Sequence, residues 1–180
     1  PGPRAHAQCS VEIQAAPAEL LCGPGSITLT ASGNATSAQL TDNFNIGAVG
    51  AGWTASPAAD FSNPCGAGAD GTTYLWMGDD TAAPRTMQSA PLDVACGGEV
   101  CFDLRMAVQG DPAPCEGPDE PTEGVYFQYS VDGGSSFVDV HYFNPGDGTD
   151  PVLTAWNNYC FTLPAGAESA STILKWYQGG

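Results

Sequence analysis

Hydrophobic and polar residues alternate along two neighbouring segments in the second half of the chain. Val125, Phe127 and Tyr129 fall on one side of an extended chain, and Tyr126 and Gln128 fall on the other. A second alternating run covers residues 137–143. Because polar turn-forming residues separate the two runs, the pattern predicts a β-hairpin.

The connecting turn has the sequence Ser-Val-Asp-Gly-Gly-Ser-Ser-Phe over residues 130–137. Gly133 and Gly134 adopt positive φ without steric cost, and the side chains of Ser130 and Asp132 can hydrogen-bond to the backbone of the turn. We therefore expect a turn that satisfies its own polar groups. A turn aspartate of this kind has a structural role rather than a catalytic one.

Other short apolar runs extend this pattern through the chain. Residues 11–13, 20–21 and 27–30 predict strands around a proline-marked turn, and later runs at 73–77, 100–106 and 173–178 predict further strands. No segment sustains a helical period of 3.6 residues. We therefore predict an all-β protein, a jelly-roll-like antiparallel β-sandwich with little helix, divided into a leader (1–7), an arm of amino-terminal strands (8–39) and the main sandwich (40–180).

Composition agrees with many short strands in a single main domain. The 180 residues include 23 glycines and 15 prolines, while hydrophobic residues remain at 42%. The formal net charge is −16, with 20 acidic residues against four basic ones. Such a surface repels phosphate backbones, so nucleic acid is excluded as a partner. The carboxylate oxygens of such an acidic chain favour calcium as a bound cation. The alternative is that the acidic residues only keep the protein soluble.

Seven cysteines are dispersed without the paired spacing of a zinc site, which indicates disulfides and an oxidising compartment. Spacing favours three pairs and leaves one cysteine over. The expected pairs are Cys9 with Cys22, Cys96 with Cys101, and Cys115 with Cys160, and Cys65 is left for an intermolecular bond or as a buried free thiol.

The amino terminus also agrees with export. Ala5-His6-Ala7 has the small-x-small pattern of a signal-peptidase site, although an ordinary leader is the alternative. No apolar segment approaches the roughly 20 residues that span a bilayer. We therefore expect an extracellular protein, secreted or on the cell surface, without a membrane span.

Four turn positions identify a known motif. Ser130, Asp132, Gly134 and Phe137 match the Asp-box of sialidases and reelin repeats. The features before it occur in the order found in a reelin repeat subdomain: a Cys-Gly at 65–66, an apolar strand at 73–77, a Leu-Asp at 92–93, a Phe-x-Leu strand at 102–104 and a loop cysteine at 115. Over residues 42–178 the chain thus resembles a reelin repeat subdomain, an Asp-box-containing jelly-roll module.

This resemblance implies a β-sandwich that usually binds calcium and serves extracellular recognition. Residues 8–33 resemble the first strands of immunoglobulin-like or PKD-type modules. The chain departs from reelin in having one subdomain and no EGF cysteine pattern, so receptor binding of the reelin kind does not transfer. Family members also continue with another strand after 173–178, which predicts that one sheet edge is left open and can pair with another chain.

Acidic residues at predicted strand ends are the candidate calcium ligands. With the resemblance, we assign this role to Asp42, Asn43, Asp79, Asp80 and Glu123. The turn at 147–150 is a weaker candidate. An ordinary set of turn acids is the alternative interpretation.

No combination of residues predicts catalysis. The chain has neither a GxSxG, nor an HExxH, nor a phosphate loop, and its three arginines cannot form the cluster that sialidases use. His141 has no identifiable nucleophile to activate. We expect no catalytic residues and no enzyme activity. Most of the large aromatic residues should be core, although any exposed one could hold a sugar: Trp53, Trp76, Trp156, Tyr142 and Tyr159.

These observations favour a secreted, non-enzymatic structural or adhesive surface module, stabilised by calcium. It would associate with itself, as a filament or surface-layer subunit built by strand exchange, or with other extracellular proteins. The alternative is a carbohydrate-binding module of a larger secreted protein, with glycans as ligands. Hydrolase activity is a third and weaker hypothesis because no catalytic group is visible.

Overall fold

The computed structural model describes residues 11–16, 28–33, 40–55, 57–78, 85–106, 112, 114–115, 121–146 and 152–178, the first two segments as backbone only. Strands β1 (Val11–Ala16) and β2 (Thr28–Gly33) form an antiparallel pair, with Val11 opposite Gly33 and Ala16 opposite Thr28. The predicted strand pair of the amino-terminal arm is therefore present. The kinship of this arm with immunoglobulin-like or PKD modules stays a prediction, and residues 20–21 lie outside the described segments.

The main part of the chain is a sandwich of antiparallel strands, as the sequence predicted. One sheet has the order β3-β4-β9-β6-β7 and the other, in the described residues, pairs β5 with β8. A short 3₁₀ turn covers Ala165–Ala167. The strands are β3 (Trp53–Ala55), β4 (Thr86–Ser89), β5 (Glu99–Leu104), β6 (Val125–Ser130), β7 (Val138–Phe143), β8 (Asn157–Thr162) and β9 (Ile173–Gln178).

Aromatic side chains from both sheets form the core between them. Phe127 of β6 is fully buried, and its ring stacks on Trp176 of β9 at a centroid distance of 5.0 Å. Phe102 of β5 packs edge-on against both of these rings, at 5.4 and 5.3 Å. Phe161 of β8 lies 5.5 Å from Phe127. The alternation that predicted β6 thus places Phe127 and Tyr129 inward, where their burial drives the two sheets together.

One prediction about strands is wrong. Residues 73–77 do not form a strand. Within them, Trp76 forms an isolated antiparallel bridge with Asp60. β9 does not lie at an open sheet edge, because it pairs with β4 on one side and with β6 on the other. A local apolar pattern identifies an extended segment, whereas its neighbours are chosen by long-range packing.

The predicted disulfide pairing is also wrong for the described cysteines. Cys101 pairs with Cys160, opposite it in the β5–β8 ladder, at a Cα–Cα distance of 4.1 Å. Cys65, expected to be left over, pairs with Cys115 at 5.5 Å. Cys96 is bonded as well. Spacing along the sequence did not predict these pairs, because the cysteines of the two bonds are 59 and 50 residues apart. Cys9 and Cys22 lie outside the described residues.

Candidate functional site

A groove lies beside β5 in the described structure. The sheet formed by β3, β4, β9, β6 and β7 is opposed by two described strands, so the packing is unequal. β8 and β5 cover the inner face near β6 and β7, as the contacts of Phe161 with Phe127 and Phe143 show. The part of that face near β3 and β4 adjoins a groove with a volume of about 1010 Å³, which is at the upper end of the usual range for ligand pockets.

The lining of this groove is mainly apolar and comes from three parts of the fold. β5 and its end contribute one side, the inner face of the larger sheet contributes the floor, and residues 40–44 and 73–78 contribute the remainder. Most of these side chains are half-buried, so they are accessible to a ligand. The apolar lining includes Leu40, Trp53, Leu75, Met77, Phe102, Leu104, Met106 and Trp176.

The register of β5 shows which of its backbone groups face the groove. The close approach of Cys101 and Cys160 is typical of a pair whose N–H and C=O groups point away from the partner strand. The Leu163 amide donates to the Gly98 carbonyl at 2.9 Å. Even-numbered residues of this segment therefore bond toward β8 and odd-numbered residues point away from it, which agrees with this assignment. The backbone groups of Glu99, Cys101 and Asp103 therefore point to the side of β5 on which no described strand pairs.

This edge of β5 is held in place within the strand and directly after its carboxyl end. The disulfide from Cys101 fixes β5 to β8. At the far end, the guanidinium of Arg105 donates to the Cys65 carbonyl at 2.6 Å and lies 4.8 Å from the ring centroid of Trp156. Tyr74 packs edge-on against Trp156 at 5.2 Å. An edge that is already extended and anchored costs a binding partner little ordering entropy.

Edges of the larger sheet have features that discourage pairing. β3 is three residues long, with an irregular register against β4. β7 is bulged opposite Phe127 and Gln128, and it presents the exposed side chains of Asp139 and His141. Short strands, bulges and edge charges are the usual protection against added strands. The edge of β5 also has exposed carboxylates, those of Glu99 and Asp103, but the strand has no bulge and it adjoins an apolar groove.

The Asp-box turn joins β6 to β7 and is bonded within itself. The Asp132 carboxylate accepts from the Ser130 hydroxyl at 2.7 Å, from the Ser136 amide at 3.0 Å and from the Ser136 hydroxyl at 2.6 Å. The Ser130 hydroxyl accepts from the Gly134 amide at 2.9 Å. Gly133 and Gly134 have φ values of 76° and 88°. These donors hold the pKa of Asp132 well below its usual range, the Ser136 bonds contributing most.

Phe137, the last residue of this turn, forms a cation–π contact. The Lys175 ammonium lies 3.8 Å from the ring centroid of Phe137, on the outer face of the larger sheet. Partial burial of Lys175 lowers its pKa, while the nearby charge of Asp139 acts in the opposite direction. The four Asp-box residues therefore stabilise the β6–β7 connection and lie away from the groove.

Of the predicted calcium ligands, Asp42, Asn43 and Glu123 lie among the described residues. Both carboxylate oxygens of Asp42 accept N–H groups, from Phe44 at 2.8 Å, Gly50 at 2.9 Å and the Trp53 indole at 3.0 Å. Asn43 accepts the amide of Asn45 at 3.2 Å. A carboxylate surrounded by N–H donors suits a loop anchor better than a cation ligand.

Among the described residues, one group of three His, Cys, Asp or Glu side chains has its ligand atoms within 4.8 Å of one another: Glu99, Cys101 and Cys160. Both cysteines are consumed by their disulfide, so this group does not fit a metal. Glu123 belongs to no such group. Asp79, Asp80 and the turn at 147–150 lie outside the described residues, and calcium binding stays a prediction.

The candidate sugar-binding aromatics are engaged within the fold. Trp53 donates to Asp42, Trp156 donates to the Ala67 carbonyl at 3.0 Å, and Tyr142 stacks on Tyr126 at 4.3 Å. Tyr159 packs against Phe143 at 4.8 Å, and Trp76 lines the groove. His141 is exposed beside Phe143 at 4.5 Å. His6 lies outside the described residues. The geometry therefore favours the apolar groove over a flat aromatic platform.

Comparison with protein families agrees with this architecture. The Reelin subrepeat B family matches residues 59–180, about two thirds of the chain. The chain belongs to the Reelin subrepeat B family. No curated protein matches it. Reelin subrepeats are structural β-sandwich modules of extracellular proteins, and the disulfides of this one fit that setting. The described residues contain no helix long and apolar enough to cross a membrane.

Sequence reasoning missed the groove and the anchoring of β5 in this reelin subrepeat. A signal was present at Arg105, one of only four basic residues, placed directly after a Phe-x-Leu strand. A scarce cation beside a strand end indicates a specific contact. Its partners, Cys65 and Trp156, are 40 and 51 residues away in the sequence, so only the folded chain identifies them.

Proposed function

We propose that this reelin subrepeat is a secreted, non-enzymatic structural or adhesive module that binds another extracellular polypeptide as an added strand along β5. The observation that supports the proposal is the anchored edge of β5 beside an apolar groove. An added strand would bond to the backbone of Glu99, Cys101 and Asp103, and its inward side chains would enter the groove. Main-chain bonds then provide affinity and the groove provides selectivity.

A strand of six residues matches this edge in length. β5 itself has six residues, which corresponds to roughly 20 Å of extended chain. A partner must present apolar side chains at alternate positions, because only one of its faces meets the groove. Polar residues between them would remain in solvent, as Glu99 and Asp103 do in β5.

The edge can be tested with a random library of hexapeptides and the Asp103→Pro variant. Proline removes the amide that points to the groove, whereas the β5–β8 ladder uses Val100, Phe102 and Leu104. The Asp103 carboxylate also accepts from Asn158 at 3.0 Å, so Asp103→Ala is the matched control.

Peptides selected by the wild type should alternate apolar and polar residues and should bind Asp103→Pro at least about tenfold more weakly. Binding to Asp103→Ala should stay within about twofold. Selected peptides that bind both variants equally would place the binding surface elsewhere. A library that yields no binders would contradict the proposal directly.

Calcium stabilisation is part of the proposal, with Asp79 and Asp80 as the candidate ligands that lie outside the described residues. Its support is the net charge of −16, since a bound cation relieves self-repulsion. Thermal unfolding should shift upward in millimolar calcium relative to chelator, and Asp80→Asn should reduce the shift. Equal shifts with magnesium at matched ionic strength would indicate charge screening rather than a calcium site.

A further inference from the structure

We propose that the strand added to β5 is β1 from a second copy of this chain, so that copies assemble head to tail. This inference rests on the proposed strand addition and names its partner. β1 has six residues, the same length as β5. Its sequence alternates Val11, Ile13 and Ala15 with Glu12 and Gln14. That is the pattern that a strand with one face in an apolar groove and one in solvent requires.

The pairing of the described strands leaves room for this exchange. β1 pairs with β2 along one edge, and β5 pairs with β8 along one edge. In the described structure these pairs are separate two-stranded sheets. Joining β1 of one copy to β5 of the next would form a four-stranded sheet, β2-β1-β5-β8, opposite the five-stranded sheet.

Charge favours this pair of strands as the contact between copies. Two chains of net charge −16 repel each other. β1 and β2 together contain one charged residue, Glu12, among their twelve positions. This pair of strands can therefore approach an acidic neighbouring copy at lower electrostatic cost than most of the remaining protein surface can. Added salt should strengthen the assembly, because it screens the remaining repulsion.

The contact joins two different surfaces, since β1 of one copy meets β5 of the next. An assembly of any length then has a free β1 at one end and a free groove at the other. Such heterologous contacts continue into rings or open filaments rather than stopping at a symmetric dimer.

Two complementary variants test this arrangement. Ile13→Glu places a charge on the apolar side of β1 and leaves the groove intact. Asp103→Pro blocks the β5 edge and leaves β1 intact. Gln14→Glu adds the same residue to the polar side of β1, and Asp103→Ala keeps the edge amide, so these two are the matched controls.

Solution mass is measured by light scattering against concentration. The wild type and both controls should form species of increasing mass. Ile13→Glu and Asp103→Pro should each remain monomeric, and an equal mixture of the two should give a dimer that grows no further. A wild type that stays monomeric at millimolar concentration, or a mixture that stays monomeric, would overturn the inference.

Amide hydrogen exchange provides a measurement that does not depend on the folding of Asp103→Pro. In the wild type, exchange at Glu99, Cys101 and Asp103 should slow at least about tenfold as concentration rises, and Ile13→Glu should abolish this change. Slow exchange in a monomer, relieved by Ile13→Glu, would show docking within one chain and would refute the exchange between copies. If library peptides bind β5 but Ile13→Glu assembles normally, strand addition stands and the β1 assignment fails.

Discussion

Replacement of Gly124 by alanine should destabilise the sandwich strongly, because this residue lies under the ring of Tyr142. A Cβ at Gly124 would lie 2.4 Å from the Phe143 carbonyl oxygen and 2.5 Å from the Tyr142 ring. The Tyr142 hydroxyl accepts from the Gly124 amide at 3.1 Å and donates to the Pro121 carbonyl. Any shift of the ring that relieves the clash therefore breaks these two hydrogen bonds.

The expected cost follows from these contacts. Overpacking of this kind costs about 1–3 kcal/mol, and each lost hydrogen bond contributes about 0.5–1.5 kcal/mol. Partial relaxation makes a total of about 2–4 kcal/mol reasonable, which corresponds to a fall in Tm of roughly 5–15 °C for a chain of this size. The matched control is Gly98→Ala, whose Cβ would meet Val94 and Leu163 at ordinary distances of 3.7 and 3.8 Å.

Urea unfolding followed by tryptophan fluorescence measures both variants. Gly98→Ala should lie within about 0.5 kcal/mol of the wild type or be slightly more stable. Tyr142→Phe removes the hydroxyl alone, and its effect should not add to that of Gly124→Ala, because both changes break the same two bonds. A free energy of unfolding for Gly124→Ala equal to that of Gly98→Ala would refute the role of the ring.

Two further predictions concern the turn and the disulfides. The pKa of Asp132 is lowered in the folded state, so its stabilising contribution is present above the unfolded pKa of about 3.9 and is lost as pH falls below it. The urea midpoint of Asp132→Asn should therefore depend less on pH below about 4 than that of the wild type, and parallel curves would contradict this. Limited reduction followed by alkylation and mass spectrometry should label Cys101 and Cys160 before Cys65 and Cys115, because the first pair is exposed and Cys115 is buried. Simultaneous labelling would show that exposure does not control the order.

Sequence reasoning succeeded where structure depends on neighbours in the chain. The alternation at 125–129 placed Phe127 and Tyr129 in the core, and the Asp-box turn formed the hydrogen bonds that its residues predicted. The segments at 100–106 and 173–178 correspond to β5 and β9 within two residues at each end. The family resemblance is confirmed over residues 59–180.

Long-range pairing decided the rest. β9 lies in the interior of its sheet because Trp176 stacks on Phe127, which belongs to a strand far from it in the sequence. The disulfide of Cys101 depends on the β5–β8 register, which no local spacing encodes.

The chain's own pattern thus determined an all-β module, its main strands, its self-bonded turn and its acidic character. The tertiary structure alone decided which strands are neighbours, which cysteines meet and where an apolar groove adjoins the edge of β5 that no described strand pairs with. The physical reason is that alternation and turn chemistry act over a few residues. Sheet edges, grooves and disulfides depend on how segments that are distant in the sequence pack together around one core.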